Sequence, residues 1–206
     1  MGTAVAYRTN LGRHLMDGRG WIVGGIAMAT LIAWYLSYSA ARLDRLHARV
    51  EGALNALDAQ LVRRAEATLE LANSGCVDPA SALILAGAAS DSLEADAEAD
   101  ADAEAEHQTS REAIESDLTQ ALELALGPEA MRNLRGDEAV GAPVLQRVAA
   151  ANQRVQLARR FHNDAVTDVL RVRRSPVVRL FRLAGHAELP QTFEIDDELP
   201  MLVRGA

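Results

Sequence analysis

The chain has 206 residues and a net charge of −8, which allows one modest domain besides a membrane segment. The acidic balance argues against a general nucleic-acid binder. The single cysteine, Cys76, excludes an internal disulfide.

An apolar stretch, residues 21–38, contains no charged side chain. As a helix it would be roughly 27 Å long, close to the roughly 30 Å hydrocarbon core of a bilayer. Aromatic side chains in or at the ends of this stretch fit the belt where a spanning helix meets lipid headgroups: Trp21, Trp34, Tyr35 and Tyr38. The sequence therefore predicts a transmembrane helix over residues 21–39, after a short N-terminal segment over residues 1–20, with the lipid bilayer as its partner.

A secretory signal is the alternative interpretation of the same stretch, because Ser39, Ala40 and Ala41 resemble a cleavage site. The apolar run is longer than the usual core of such a signal and leads straight into helix-favouring sequence, so an uncleaved anchor is favoured. The flanking arginines do not decide the orientation, since three precede the stretch and three follow it: Arg8, Arg13, Arg19, Arg42, Arg45 and Arg49. Arg63 and Arg64, further along, favour a domain on the cytoplasmic side.

Small residues recur every four positions within the apolar stretch: Gly25, Ala29, Ala33 and Ser37. Such a stripe allows two membrane helices to approach closely. It predicts a homo-oligomer or contact with other membrane proteins.

The apolar stretch continues into an amphipathic helix. Leucines and a valine recur at spacings of three and four along it: Leu43, Leu46, Val50, Leu54, Leu57 and Leu61. We predict one helix from Trp21 to Asn73, with residues 40–73 in the folded domain. Ser74 and Gly75 end it, and Gly75 suits a left-handed cap.

A second helix is predicted over residues 78–106, with Asp78 as its N-cap and Pro79 at its first position. Its last part is an acidic run, residues 91–106, in which eight of the sixteen residues are acidic and none is basic. A solvated helix extension or a mobile loop is the simpler interpretation of the run. A divalent-cation site or a site for a basic partner is the alternative.

A capping box, Thr109 to Glu112, predicts the start of a third helix over residues 109–134. Its apolar face comprises Ile114, Leu118, Leu122 and Ala125. Gly127 and Pro128 stop or interrupt this helix.

A fourth helix, residues 143–174, has the heptad spacing typical of a coiled-coil seam: Val148, Ala151, Val155, Ala158, His162, Ala165, Val169 and Val172. His162 in this seam is expected to be packed and hydrogen-bonded. A short amphipathic segment then runs to Gly185. We expect residues 186–206 to form an extended tail, packed on the helices through Phe193 and Ile195.

These elements predict an all-α protein, in which an N-terminal transmembrane helix continues into an antiparallel up-and-down four-helix bundle over residues 40–185. Two motifs also resemble a known family. The first helix carries Asp58 and the pair Arg63 and Arg64, and the fourth carries Arg159, Arg160, Asn163 and Asp164 before Pro176. The chain thereby resembles the LemA family of bacterial membrane proteins.

The resemblance implies a left-handed antiparallel four-helix bundle on a membrane anchor and a structural or accessory role, without a known reaction. The chain departs from the family pattern at several places. His162 stands where the family has Tyr, and Leu54 where it has Trp. The family's apolar-Pro-Asn segment after the paired arginines is missing, replaced here by residues 67–70, and the acidic run has no counterpart.

Catalytic signatures are absent from the sequence. It has no Walker A loop, dinucleotide-binding glycine pattern, H-E-x-x-H or C-x-x-C motif, and no nucleophile elbow. We therefore predict no catalytic, cofactor or metal residues and no nucleic-acid partner. The predicted function is a non-enzymatic scaffold or interaction module at the bacterial cell membrane.

The alternative function is a metal or ligand sensor that uses the acidic run and the bundle core. Calorimetric titration of the chain with Ca²⁺, Mg²⁺ or Zn²⁺ tests it, and an absence of heat would reject it.

Overall fold

The computed structural model describes residues 6–97, 104–181 and 189–199. Within these ranges the chain forms helices and no strand, which confirms the prediction of an all-α protein. The helices are α1 (Ala6–Asn73), α2 (Pro79–Ala97), α3 (Glu104–Ala125), α4 (Pro128–Gly136), α5 (Gly141–Arg173) and α6 (Pro176–Leu180).

Helix α1 begins at Ala6, well before the predicted start at Trp21. The predicted start is therefore too late, because residues 6–20 of the short N-terminal segment are helical and contain no proline to break the helix. The predicted end is confirmed. Gly75 has a φ of +72°, in the left-handed region where glycine has no Cβ to clash.

Helix α2 begins as predicted. Asp78 Oδ1 accepts hydrogen bonds from the backbone N–H groups of Ala80 (3.1 Å) and Ser81 (3.0 Å). Hydrogen bonds from Ser81 hold the pKa of Asp78 below its ordinary value, because they favour the charged carboxylate. The predicted continuation through residues 98–103 lies outside the described residues.

Helix α3 corrects two predictions. It begins at Glu104, so the capping box from Thr109 to Glu112 lies inside the helix, because Ala, Glu and Gln just before the box favour helix. It also ends at Ala125, and Pro128 starts the separate helix α4. The predicted stop at Gly127 and Pro128 is thereby confirmed, and the range 109–134 contains two helices and not one, since Pro128 disfavours helical backbone at Gly127.

Helix α5 begins at Gly141, and Pro143 lies in its first turn, where its missing N–H costs no helical hydrogen bond. Gly141 is required by a close approach to α4. A Cβ atom there would lie 2.7 Å from the backbone oxygen of Leu134, a distance that side chains do not adopt.

The described residues divide into two compact units. One contains residues 6–45 and 172–181, and the other contains residues 46–97, 104–171 and 189–199. The first unit holds the apolar stretch and α6. The second holds the main hydrophobic core, and we call it the helical domain.

The core of the helical domain comprises three clusters. The largest draws on α1 to α5 and on Leu199, and its bulkiest members are Leu71, Leu85, Leu118, Leu122, Leu126, Met131, Leu134 and Leu145. A second contains Leu57, Leu61, Val155 and Phe193. A third contains Val50, Ala165, Val166 and Val169. Burial of the α1 and α5 stripes at these positions confirms the periodicity predicted for both helices.

Candidate functional site

The centre of the helical domain contains a charged residue, Arg64 of α1, whose side chain is 0% exposed. Its position follows from the spacing of the apolar stripe. Continuing the stripe from Leu61 by three and then four residues reaches Arg64 and Thr68, and three more reach Leu71. The helix therefore inserts a guanidinium group into a face that is otherwise packed with leucine.

Glu115 of α3 is the main partner of Arg64, and its side chain is also 0% exposed. The Nη2 group of Arg64 donates to Glu115 Oε2 at 2.6 Å and to the Glu115 backbone oxygen at 2.7 Å. The second carboxylate oxygen, Oε1, accepts from Ser92 Oγ of α2 at 2.7 Å and from Arg111 Nε at 3.3 Å. Both charges are thus paired and hydrogen-bonded, as burial demands.

The Nη1 group of Arg64 completes the contacts with two neutral side chains. It lies 3.1 Å from Thr119 Oγ1 of α3 and 3.5 Å from Asn152 Oδ1 of α5. Thr68 Oγ1 donates to the backbone oxygen of Arg64 at 2.9 Å. We call this set of buried groups the polar layer; its members are Arg64, Thr68, Ser92, Arg111, Glu115, Thr119 and Asn152.

The polar layer joins four helices by charge and hydrogen-bond geometry, because α1, α2, α3 and α5 each contribute to it. Its central ion pair is completely buried, so a ligand in solution cannot reach the charged groups of Arg64 and Glu115. The arrangement suits specific pairing of helices, since any shift in register would leave a buried charge without a partner.

Asn152 extends the layer to the C-terminal segment, residues 189–199, which has no helix or strand. Its Nδ2 group donates to the backbone oxygen of Asp197 at 3.2 Å, and Gln156 Nε2 donates to the same oxygen at 2.7 Å. The Asp197 carboxylate accepts from Arg159 Nε at 2.8 Å. A continuous chain of contacts therefore runs from α1 through α5 to this segment.

The segment is also anchored by apolar contacts. Phe193 is buried among Leu57, Leu61 and Val155, and Ile195 packs against the same cluster. The predicted packing of the tail through Phe193 and Ile195 is thereby confirmed for the described part. His162 is buried, with Nε2 3.2 Å from the backbone oxygen of Gln191, which confirms its prediction as a packed, hydrogen-bonded histidine.

The residues of the family resemblance fall into two groups, those that bond to other parts of the helical domain and those on the surface. Arg64 lies in the polar layer, Arg159 pairs with Asp197, and Asn163 contacts the C-terminal segment. Four others lie on the surface or at a helix start: Arg63, Arg160, Asp164 and Pro176. Asp58 is half-buried.

The residues predicted to contact the membrane are all exposed: Trp21, Trp34, Tyr35, Tyr38, Gly25, Ala29, Ala33 and Ser37. The rings of Trp34 and Tyr38 stack with centroids 6.4 Å apart. Helix α1 contains a window long and apolar enough to cross a membrane, near the N-terminus, and none of that window is buried.

The acidic run lies largely outside the residues with described side chains, which include its Asp91, Ser92, Leu93, Glu94 and Ala95. Within the described parts of the chain, no group of three or more His, Cys, Asp or Glu residues is placed to hold a metal ion. The metal or ligand sensor stays a prediction.

Sequence reasoning missed the polar layer: of its seven members only Arg64 was singled out, and that as part of the family resemblance. Glu115 precedes Leu118 by three residues, and Asn152 falls between Val148 and Val155 at spacings of four and three. Each polar residue thus occupies a core position by its periodicity, which was the available signal. Ser92 follows Leu85 and Ala89 at spacings of four and three, and Thr119 precedes Leu122 by three, so both also occupy core positions by their periodicity.

Comparison of the chain with protein-family models, with curated proteins and with solved structures gives no match.

Proposed function

We propose that this chain is a single-pass membrane protein that acts as a non-enzymatic scaffold or interaction module at the bacterial cell membrane, similar to LemA proteins. The observation that carries the proposal is the exposed apolar stretch of α1, with Trp21 84% and Trp34 68% exposed. So many large apolar side chains in contact with water would be costly, and a bilayer removes that cost.

The proposal includes an antiparallel four-helix bundle formed by α2, α3, α5 and the part of α1 in the helical domain. The order of contacts between α1 and α5 supports it. Positions further along α1 meet positions earlier in α5. Val50 shares a cluster with Val166 and Leu57 shares one with Val155, while Arg64 bonds to Asn152 and Glu70 bonds to Arg147. Contacts of Glu115 on α3 with both α1 and α2 are consistent with the same bundle.

Extraction of cell membranes with alkaline carbonate tests the anchor. We expect the full chain to stay in the membrane pellet, because carbonate releases peripheral proteins but not a spanning helix. Cys76, half-buried and the single thiol, then reports the side of the membrane. If the helical domain is cytoplasmic, a membrane-impermeant maleimide should label Cys76 only after the cells are lysed. Release of the chain by carbonate would contradict the proposal.

We further propose that the anchor self-associates through the stripe of Gly25, Ala29, Ala33 and Ser37. Replacing Gly25 and Ala29 by leucine should abolish the signal in a membrane two-hybrid assay, because the larger side chains separate the helix backbones. The matched control replaces Gly24 and Ala27, one glycine and one alanine off the stripe, by leucine and should keep the signal. Equal signals from both variants would contradict self-association through this face.

A further inference from the structure

The backbone hydrogen bonds of the C-terminal segment are made mainly with side chains of α3 and α5. An extended chain that joins no sheet must satisfy its N–H and C=O groups elsewhere. The backbone groups in the middle of a helix are already used, so only side chains are available to it. We call the surface formed by these side chains the α3–α5 groove.

One face of α3 matches the repeat of an extended peptide. Two extended residues span about 6.6 Å and four helical residues about 6.0 Å, so every second residue of the segment meets every fourth residue of α3. Three pairs follow this register: Gln108 Nε2 with the Thr192 oxygen at 3.0 Å, Glu112 Oε1 with the Glu194 N–H at 2.9 Å, and Ser116 Oγ with the Asp196 N–H at 3.2 Å.

Side chains of α5 also bond to the backbone of the segment, in addition to the contact of His162 with the Gln191 oxygen. Asn163 Oδ1 accepts from the N–H of Phe193 at 2.9 Å, and its Nδ2 donates to the Phe193 oxygen at 3.2 Å. Asn152 and Gln156 both donate to the oxygen of Asp197. These hydrogen bonds are made to backbone atoms of the segment. A peptide with other side chains at residues 193 and 197 could form the same hydrogen bonds.

Side chains of the segment alternate between the groove and solvent. Phe193, Asp197 and Leu199 are buried and Ile195 is half-buried, whereas residues 194, 196 and 198 are exposed. Phe193 enters the cluster around Leu57, and the Asp197 carboxylate pairs with Arg159 at 2.8 Å. Alternate residues thus supply the anchors, in the pattern Phe-x-Ile-x-Asp-x-Leu.

We propose that the α3–α5 groove is a peptide-recognition site whose ligand is an extended acidic peptide of a partner protein, with an aromatic, an aliphatic, an aspartate and an aliphatic residue at alternate positions. The C-terminal segment occupies the groove in the free chain and competes with the partner. This extends the proposed interaction role to one surface, and it does not depend on the membrane anchor.

The chemistry of the partner follows from the groove. Backbone contacts along the segment are indifferent to sequence, so the anchors set specificity. Arg159 demands a carboxylate, and it also lies 3.9 Å from Glu194, so acidic character is favoured between the anchors as well. A tethered segment has an effective concentration in the millimolar range, so a partner peptide binds the free chain with weakened apparent affinity.

The test uses the full chain in detergent micelles and a fluorescent peptide with the sequence of residues 191–199. The variant carrying Phe193→Ala and Asp197→Ala loses two anchors of its own segment, and we expect it to bind the peptide about tenfold or more tightly than the unaltered chain does. The matched control, Asp196→Ala with Glu198→Ala, changes two exposed residues of the same segment and should behave as the unaltered chain. Adding Asn163→Ala to the anchor variant should abolish binding, as should alanine in place of phenylalanine in the peptide.

A folded anchor variant, judged by circular dichroism, that fails to bind the peptide would overturn the proposal. So would binding that needs neither Asn163 nor the peptide phenylalanine. If the anchor variant does not fold, hydrogen exchange of the unaltered chain decides. Excess peptide should speed exchange at the amides of Phe193, Glu194 and Asp196, and unchanged exchange overturns the proposal. A dimer that dissociates on Phe193→Ala would also overturn it, because the occupant would then be a second copy.

Discussion

Replacing Arg64 by methionine should lower the free energy of unfolding by about 3–5 kcal/mol, because it leaves the buried carboxylate of Glu115 without its main counter-charge. The side chains of both residues are 0% exposed, so water does not compensate the lost ion pair. Thr119 and Asn152 lose a donor as well. A domain of this size is stable by only about 5–15 kcal/mol, so the loss is a large share of the total.

Urea unfolding of the full chain in detergent micelles, followed by far-UV circular dichroism, measures this loss. The neighbouring Arg63 provides a matched control, because it is the same residue type on the same helix but is exposed. Arg63→Met should change the free energy of unfolding by no more than about 0.5 kcal/mol. Equal effects of the two substitutions would contradict the role of the polar layer.

A double-mutant cycle separates the ion pair from the packing of Arg64. Glu115→Gln should destabilise the unaltered chain, since it removes the charge that Arg64 faces. It should cost less when Arg64 is already methionine, because the carboxylate then keeps only Arg111 as a counter-charge. We expect a coupling free energy of about 0.5–3 kcal/mol, and additive effects would contradict a direct pairing.

The contrast between Arg63 and Arg64 shows how far the sequence predicts this site. Periodicity of the α1 stripe predicts which faces are buried, and continuing it past Leu61 would have identified Arg64 as a core residue. No local pattern identifies its partners, because Glu115 and Asn152 come from helices far along the chain. Local propensity also misplaced the start of α3, where the capping box at Thr109 competes with helix-forming residues before it.

The α3–α5 groove was harder to predict for a related reason. The absence of a helical period after residue 186 predicted an extended tail, and its packing through Phe193 and Ile195 is confirmed for the described part. The groove itself consists of polar side chains on α3 and α5 whose partners are backbone atoms of an irregular segment. Backbone atoms carry no sequence signal, so the contacts become visible only in the folded chain.

Arginine at both Ala27 and Ala29 should remove the chain from the membrane. Each arginine near the middle of a spanning helix costs about 2.5–3.5 kcal/mol on insertion scales, so the pair costs roughly 5–7 kcal/mol. Both alanines are exposed and lie near the middle of the apolar stretch, so neither substitution disturbs the packing of the helical domain. Ala29 also lies on the proposed self-association stripe, but the cost of placing arginine in lipid does not depend on that contact.

Flotation of cell membranes on a density gradient measures this loss, because membrane-bound chains rise with the lipid whereas aggregates sediment. The unaltered chain should float, and the variant with arginine at Ala27 and Ala29 should not. The matched control places arginine at Ala56 and Ala59, two exposed alanines of the same helix within the helical domain, and should float like the unaltered chain. Flotation of both variants would show that the apolar stretch does not hold the chain in the membrane. Loss of both would point instead to a general effect of added charge on α1.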